Sequence, residues 1–350
     1  MDASRKTVAG RIFEVIDSKA SSSAPGELYF RPDPWIAELV SRVEDKLESV
    51  TRSDNHLMDV IGRHMLFGYA KRLRPLFLML GQLLFNENIL EQTMNCAAAS
   101  ELIHCASLFH DDVIDGAAVR KGRRAANAVW GNKSAVIMGD HFFVLAYNLI
   151  AAQGDLKLID IFIQTCKALA DGVMLEIRHT GDTRITEETH LRIITRKTAT
   201  FFADTAFIGG YVAGASPEQQ AVLRDMGMNF GLAFQISDDL LDLYADPEAT
   251  GKPRGTDISA GFYTTAIIHG LNHDPRFQRT FGPALTDDNL GPDVIDSIAG
   301  DLRTNGSLDY CRGLILNYCG KARECLGKLP GGKANDEFRA LVDIIASREY

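Results

Sequence analysis

Apolar positions recur with a helical period along almost the whole chain. Trp35, Leu39, Val43 and Leu47 follow one another at i+4 spacing, directly after Asp33-Pro34, a pair suited to an N-cap and a first-turn proline. Longer apolar-rich runs cover residues 95–108, 134–152 and 218–243, and all are too long and too uninterrupted for ordinary strands. Strict apolar/polar alternation is scarce. Breaks fall at Ser21-Ser22-Ser23-Ala24-Pro25-Gly26, Gly181-Asp182, Gly214-Ala215-Ser216-Pro217, residues 246–256 and Lys328-Leu329-Pro330-Gly331-Gly332. No short repeat and no low-complexity tract interrupts this pattern. It predicts an all-α fold, with residues 1–30 as a loosely attached N-terminal arm and residues 31–350 as a single helical domain.

Composition narrows the class. An apolar fraction of 46% and a charged fraction of 24% are ordinary for a globular chain with a sizeable core. The most apolar run, residues 135–152, is interrupted by Asp140, His141 and Asn148, so no transmembrane segment is expected. The first ten residues lack the apolar stretch of a secretory signal, and a soluble, cytoplasmic protein is the expectation. The six cysteines, at 96, 105, 166, 311, 319 and 325, form no CxxC pair and read as reduced thiols packed in helices. A net charge of −9 argues against nucleic acid as a partner. Within that acidic total, basic residues gather at Lys71-Arg72-Leu73-Arg74, Arg120-Lys121-Gly122-Arg123-Arg124, Arg196-Lys197 and Lys252-Pro253-Arg254, two of them close to tight acidic clusters.

Those acidic clusters carry the chemistry. Asp111-Asp112-Val113-Ile114-Asp115 and Asp238-Asp239-Leu240-Leu241-Asp242 each follow an apolar helical run, residues 102–109 and 230–236. On a helix, residues i and i+4 share a face and lie about 6 Å apart along the axis. Asp111 therefore pairs with Asp115, and Asp238 with Asp242. Such like charges repel, and without a cation they cost stability. A hard divalent cation reverses the sign: magnesium takes oxygen ligands and is typically held by one or two carboxylates plus substrate phosphates. Two such helix ends facing each other are expected to clamp magnesium around one diphosphate. One DDxxD can be a solvated cluster; two, each ending an apolar helix rich in small residues, are far more specific.

The residues around the pentads resemble the trans-isoprenyl (polyprenyl) diphosphate synthase family. The resemblance rests on Glu101-Leu102-Ile103-His104-Cys105-Ala106-Ser107-Leu108-Phe109-His110 before the first pentad, on Gly131-Asn132 and Gly139-Asp140 after it, and on Phe234-Gln235-Ile236 before the second. Lys71-Arg72-Leu73-Arg74-Pro75, Arg196-Lys197-Thr198-Ala199 and Gly251-Lys252-Pro253-Arg254-Gly255-Thr256-Asp257 are similar to its remaining blocks, and the blocks run in family order over residues 35–345. This resemblance implies a helical bundle around a deep central cavity, usually a homodimer, and a prenyltransferase that joins isopentenyl diphosphate to an allylic prenyl diphosphate. By the same resemblance, Asp111, Asp115 and Asp238 ligate magnesium, supported by Asp112, Asp239 and Asp242. Arg120, Lys197 and Lys252 hold the allylic diphosphate. Lys71, Arg74 and His104, helped by Lys121, hold isopentenyl diphosphate, and Thr198 and Gln235 lie beside the carbocation.

These residue types suit the reaction. Ionising an allylic C–O bond produces pyrophosphate and a delocalised cation, and metal ions with Arg/Lys donors stabilise the departing charge without moving a proton. No nucleophilic triad is needed, and none is visible. A dry apolar cavity protects the cation from water. Ser107 lies one turn before Asp111, with Ser100 on the same stripe and Ala106 beside it. In the family, bulky aromatics there stop growth early; small residues point to a geranylgeranyl or longer product, unless Phe142 and Phe143 close the floor. Four positions depart from the family pattern: Tyr69-Ala70 for Gly-Gly, Lys121 for Arg, Glu176 for Gln and Phe262 for Lys. Competing readings are a class I terpene cyclase, a non-catalytic regulatory subunit of a heteromeric synthase, and a head-to-head condensing enzyme. DDLLD at 238–242, with Lys71 and Arg74, disfavours the cyclase and the head-to-head enzyme; two intact pentads disfavour the regulatory subunit.

Overall fold

The computed structural model describes residues 34–67, 70–120, 122–244, 254–286 and 290–350. The expected N-terminal arm therefore lies outside the described residues, as do Tyr69, Lys121 and Lys252. The described chain is helical throughout apart from one two-stranded hairpin, so the predicted all-α class holds. It divides into two compact units, each with its own packing.

The first unit takes the described residues up to Met79 and from Asn88 to Ile159. It contains α1 (Pro34–Thr51), α2 (His56–Leu66), the first part of α3 (Leu73–Leu83) and α4 (Glu91–Ile114). The hairpin β1 (Val119–Arg120) and β2 (Arg123–Arg124), α5 (Ala126–Trp130) and α6 (Asn132–Ala151) follow. The i+4 stripe of α1 is real, but its buried head is Ile36 rather than the half-buried Trp35; Leu39, Val43 and Leu47 complete it. Asn55 caps α2 by accepting from the backbone N–H of Leu57 at 3.1 Å. α4 is apolar on nearly every side and is buried over most of its length, the pattern of a core helix. Its alanine run Ala97-Ala98-Ala99 is wholly buried. Against it packs α6, with Phe109 and Phe142 edge to face at 5.4 Å between ring centres. The helices also meet where His110 lies over Gly139; a Cβ there would sit 2.3 Å from His110 Nε2.

By length and composition α6, the run that Asp140, His141 and Asn148 punctuate, is apolar enough to cross a membrane. Its Ala135, Met138, Phe142 and Ala146 are buried, as in a helix that packs one face against a core.

The second unit takes Leu80–Glu87 and Asp160–Tyr350. Most of α7 (Leu156–Arg178) belongs to it, followed by α8 (Glu187–Ile194), a π-helical turn (Thr195–Ala199), α9 (Thr200–Val212) and α10 (Pro217–Tyr244). The short α11 (Thr256–Ser259) leads into α12 (Thr265–His273), α13 (Pro275–Leu285), α14 (Pro292–Thr304), α15 (Ser307–Leu326) and α16 (Lys333–Ala346). α10 is the axis of this unit and packs against α9 on one side and α15 on the other. A buried polar tie joins three helices: Asp204 of α9 accepts from Thr165 Oγ1 of α7 and from Arg224 Nη2 of α10, each at 2.6 Å. Burial raises the Asp204 pKa despite both donors.

All six cysteines are free thiols, four of them buried and two half-buried, as the spacing predicted. Burial pushes the Cys96 thiol up to about 12 and the Cys319 thiol to about 11.

Gly227 lets α9 and α10 approach closely: an added Cβ would stand 2.5 Å from the Phe202 carbonyl oxygen and 2.7 Å from Ala203 Cα. Backbone cannot yield there as a side chain can. Gly227→Ala is expected to lower unfolding stability by about 1–3 kcal/mol, read by chemical denaturation followed by circular dichroism.

Candidate active site

In the first unit the pentad Asp111–Asp115 closes α4. The Asp115 N–H bonds the Asp111 carbonyl at 2.8 Å, so the last turn is intact and the i, i+4 relation holds as predicted. The members differ in exposure: Asp111 is half-buried, Asp115 is exposed and Asp112 is fully buried. Arg120, projecting from the hairpin, donates from Nε to Asp112 Oδ1 at 2.7 Å and pairs with it as an ion pair, Nη2 lying 2.5 Å from the same oxygen. Asn127 Nδ2 holds the Asp112 carbonyl at 2.9 Å. Asp112 thus anchors the hairpin, while Asp111 and Asp115 occupy the more accessible positions. The other Asp112 oxygen, Oδ2, is buried with no hydrogen-bond partner.

The other expected residues of this unit lie on two elements. Lys71 is exposed just before α3, Arg74 is half-buried in its first turn, and His104 is half-buried on α4. Arg72, between Lys71 and Arg74, is not part of an exposed basic cluster: its side chain is wholly buried. Ser100 and Ser107 turn their hydroxyls onto their own helix, donating to the carbonyls of Ala97 at 2.7 Å and His104 at 2.8 Å. Ser100 is wholly buried and Ser107 half-buried, each with its polar group already satisfied.

In the second unit the pentad Asp238–Asp242 lies near the end of α10. Asp238 is half-exposed and accepts from Arg348 Nη1 at 3.2 Å. Asp239 is buried; its Oδ1 accepts from Gln235 Nε2 at 2.8 Å, and its Oδ2 lies 3.4 Å from His190 Nε2. Asp242 faces the chain that follows: its carboxylate accepts from the N–H groups of Thr256 at 3.2 Å and Asp257 at 3.1 Å, and from the Thr256 hydroxyl. Burial nevertheless holds the Asp242 carboxyl above the ordinary range. The half-buried Asp257 is pushed well above it by burial and by the neighbouring Asp242, Asp239 and Glu176. Asp242 is therefore occupied in fastening the segment Gly255–Asp257 to α10.

Beside this pentad the π-helical turn departs from regular helix over the block that carries the expected chemistry, Thr195–Ala199. Two glycines let it approach its neighbours: a Cβ on Gly172 would lie 2.9 Å from the Lys197 nitrogen, and one on Gly231 2.5 Å from Ala199 Cα. Thr198 donates its hydroxyl to Gln235 Oε1 at 2.7 Å. Gln235 in turn donates to Asp239, so one line of hydrogen bonds fixes the amide orientation from the pentad to the turn. Lys197 is paired with Glu176, one of the four departures from the family pattern. Of the others, Ala70 and Phe262 are half-buried.

Sequence reasoning missed four partners here: Arg348 and Tyr350, which both donate to the Ser237 hydroxyl at 2.7 Å, His190 beside Asp239, and Arg120 for Asp112. A pairing across more than a hundred residues leaves no periodic trace. Arg120, expected to hold the allylic diphosphate, is paired with Asp112.

All donors at the pentads are carboxylate oxygens, which suits a hard divalent ion. Among the described residues no group of three or more His, Cys, Asp or Glu forms a preformed metal cage. That combination fits an ion held by one or two carboxylates with substrate phosphates completing its shell.

The profile of the Polyprenyl synthetase family matches residues 55–300. The chain belongs to that family. It is 32% identical over 298 residues to octaprenyl diphosphate synthase of Escherichia coli (strain K12), covering 85% of this chain and 92% of that protein. It is also 30% identical over 314 residues to geranylgeranyl diphosphate synthase of Methanosarcina mazei, covering 87% and 94%. Among solved structures, polyprenyl synthase from Caulobacter crescentus CB15, complexed with calcium and isoprenyl diphosphate, superposes with a TM-score of 0.84 at 28% identity. That likeness covers 94% of this chain and all of the other. Membership makes the chain a prenyltransferase of the polyprenyl diphosphate synthase class, and the all-helical fold agrees.

The Arg120–Asp112 pair is buried on the acid side, so removing the arginine leaves a carboxylate with no counter-charge. Arg120→Met is expected to cost about 3 kcal/mol of stability, measured by urea denaturation; Asp112→Asn combined with Arg120→Met should recover part of it.

Proposed function

We propose that this chain condenses isopentenyl diphosphate head-to-tail onto an allylic prenyl diphosphate, with magnesium assisting ionisation, to give an all-trans product of geranylgeranyl length or longer. The division of labour within the pentads carries the reading. In each, the protein itself holds the inner acids, Asp112, Asp239 and Asp242, while Asp111, Asp115 and Asp238 keep the more accessible positions. Those three are the residues proposed to ligate the metal. When bound, magnesium supplies positive charge to the diphosphate leaving group.

The chain's own residues do the rest. Lys197 and Arg120 carry charge toward the allylic diphosphate, joined by Lys252 from outside the described residues. Lys197 is neutralised by Glu176 in the free protein, and an incoming diphosphate competes for it. Thr198 spends its proton on Gln235, which leaves the hydroxyl lone pairs as its remaining interaction, the polarity that favours a nearby carbocation. Lys71, Arg74 and His104, with Lys121, hold isopentenyl diphosphate, whose double bond attacks the cation; the proton leaves with the pyrophosphate. Small, internally satisfied side chains at Ser100, Ala106 and Ser107 support a long product. Val136, Ile137 and Val144 on α6 are exposed and apolar, with Ile137 61% accessible, and this face supports a homodimer. A cytoplasmic location accords with these readings.

The test is incubation with labelled isopentenyl diphosphate, magnesium and geranyl, farnesyl or geranylgeranyl diphosphate in turn, with dephosphorylated products sized by chromatography. A ladder ending at one length is expected. A cyclic hydrocarbon without label would establish a cyclase, and no product with any primer a non-catalytic subunit. Asp111→Ala and Asp238→Ala should each lower turnover by about two to three orders of magnitude while keeping the native circular dichroism spectrum. Full activity in either variant would remove that aspartate from the metal site.

A further inference from the structure

Arg72 is the one non-glycine residue with positive φ among the described residues, at 49°. A side chain in that region costs free energy, and arginine has no local reason to visit it. The compensation is at the far end of the side chain. The guanidinium is wholly buried; Nη1 donates to Glu101 Oε1 at 2.7 Å, Nη2 to the Leu66 carbonyl at 2.5 Å, and Nε lies 3.5 Å from Glu44 Oε1. Glu44 is on α1, Leu66 ends α2 and Glu101 is on α4, so one planar group joins three helices. The Arg72 carbonyl also accepts the first hydrogen bond of α3, from the Leu76 N–H at 3.0 Å.

The placement of this tie matters for the site. Lys71 and Arg74 flank Arg72 on the segment entering α3, and His104 lies within one turn of Glu101 on α4. These three are the groups assigned to the diphosphate of isopentenyl diphosphate, and they come from two separate elements. We infer that Arg72 is a positioning residue for that subsite: through Glu101 and Leu66 it holds the Lys71–Arg74 segment in register with His104, and it touches no substrate itself. This inference rests on the assignment of Lys71, Arg74 and His104 proposed above. Lysine cannot replace it, because a single ammonium on a flexible stem lacks the planar fork that meets acceptors on three helices.

The test compares KM for each substrate in Arg72→Lys, Glu101→Gln, Lys71→Ala and Arg74→Ala, with thermal melts as a check on folding. Arg72→Lys should raise KM for isopentenyl diphosphate about tenfold or more and move KM for the allylic diphosphate less than about threefold. Glu101→Gln keeps an acceptor oxygen of the same shape and should show the same selectivity to a smaller degree; it carries the test if Arg72→Lys does not fold. A native melt with unchanged KM for isopentenyl diphosphate would overturn the inference, as would equal changes for both substrates, the mark of a merely structural role. Unchanged KM in both Lys71→Ala and Arg74→Ala would overturn the subsite assignment and this inference with it. A raised KM there, with Arg72→Lys unchanged, would overturn the positioning role alone.

Discussion

Carboxylates placed one turn apart on an apolar helix repel each other, and the architecture around both pentads answers that repulsion. Asp112 takes an arginine from a hairpin, Asp239 a glutamine amide, Asp242 two backbone N–H groups and a hydroxyl, and Asp238 an arginine from beyond α16. The buried acids are thereby committed to holding structure: Asp112 fixes the hairpin that carries Arg120, and Asp242 fixes the chain leading into α11. Negative charge can then accumulate at two helix ends without unfolding them.

Much of this was legible in the sequence. Helical periodicity gave the all-α class, because long apolar stripes at i, i+4 have no strand-like reading, and the ordered blocks around the pentads gave the family. What periodicity could not show was the partner of each acid. Arg120 is eight residues from Asp112, yet only the hairpin turns it back; Arg348 reaches Asp238 across more than a hundred residues. The hairpin itself is too short to leave an alternating pattern. Arg72 is the clearest case: in sequence it is one of several cations in a basic run, and in the fold it is buried with two glutamates. Its neighbours on either side read as ligand groups, and nothing in residue type separates it from them.

The same physics bears on the departures from the family pattern. Glu176 supplies Lys197 with a counter-charge within the protein. The serines before the first pentad satisfy their hydroxyls on their own helix.

The central claim is that the accessible aspartates bind metal mainly together with a diphosphate. Isothermal titration of inorganic pyrophosphate into the protein, with magnesium and with a chelator in its place, tests this most directly. The account predicts that magnesium tightens pyrophosphate binding at least about tenfold, equivalent to about 1.4 kcal/mol of coupling, and that Asp111→Ala or Asp238→Ala abolishes the enhancement. Pyrophosphate binding of equal strength with and without magnesium would contradict it.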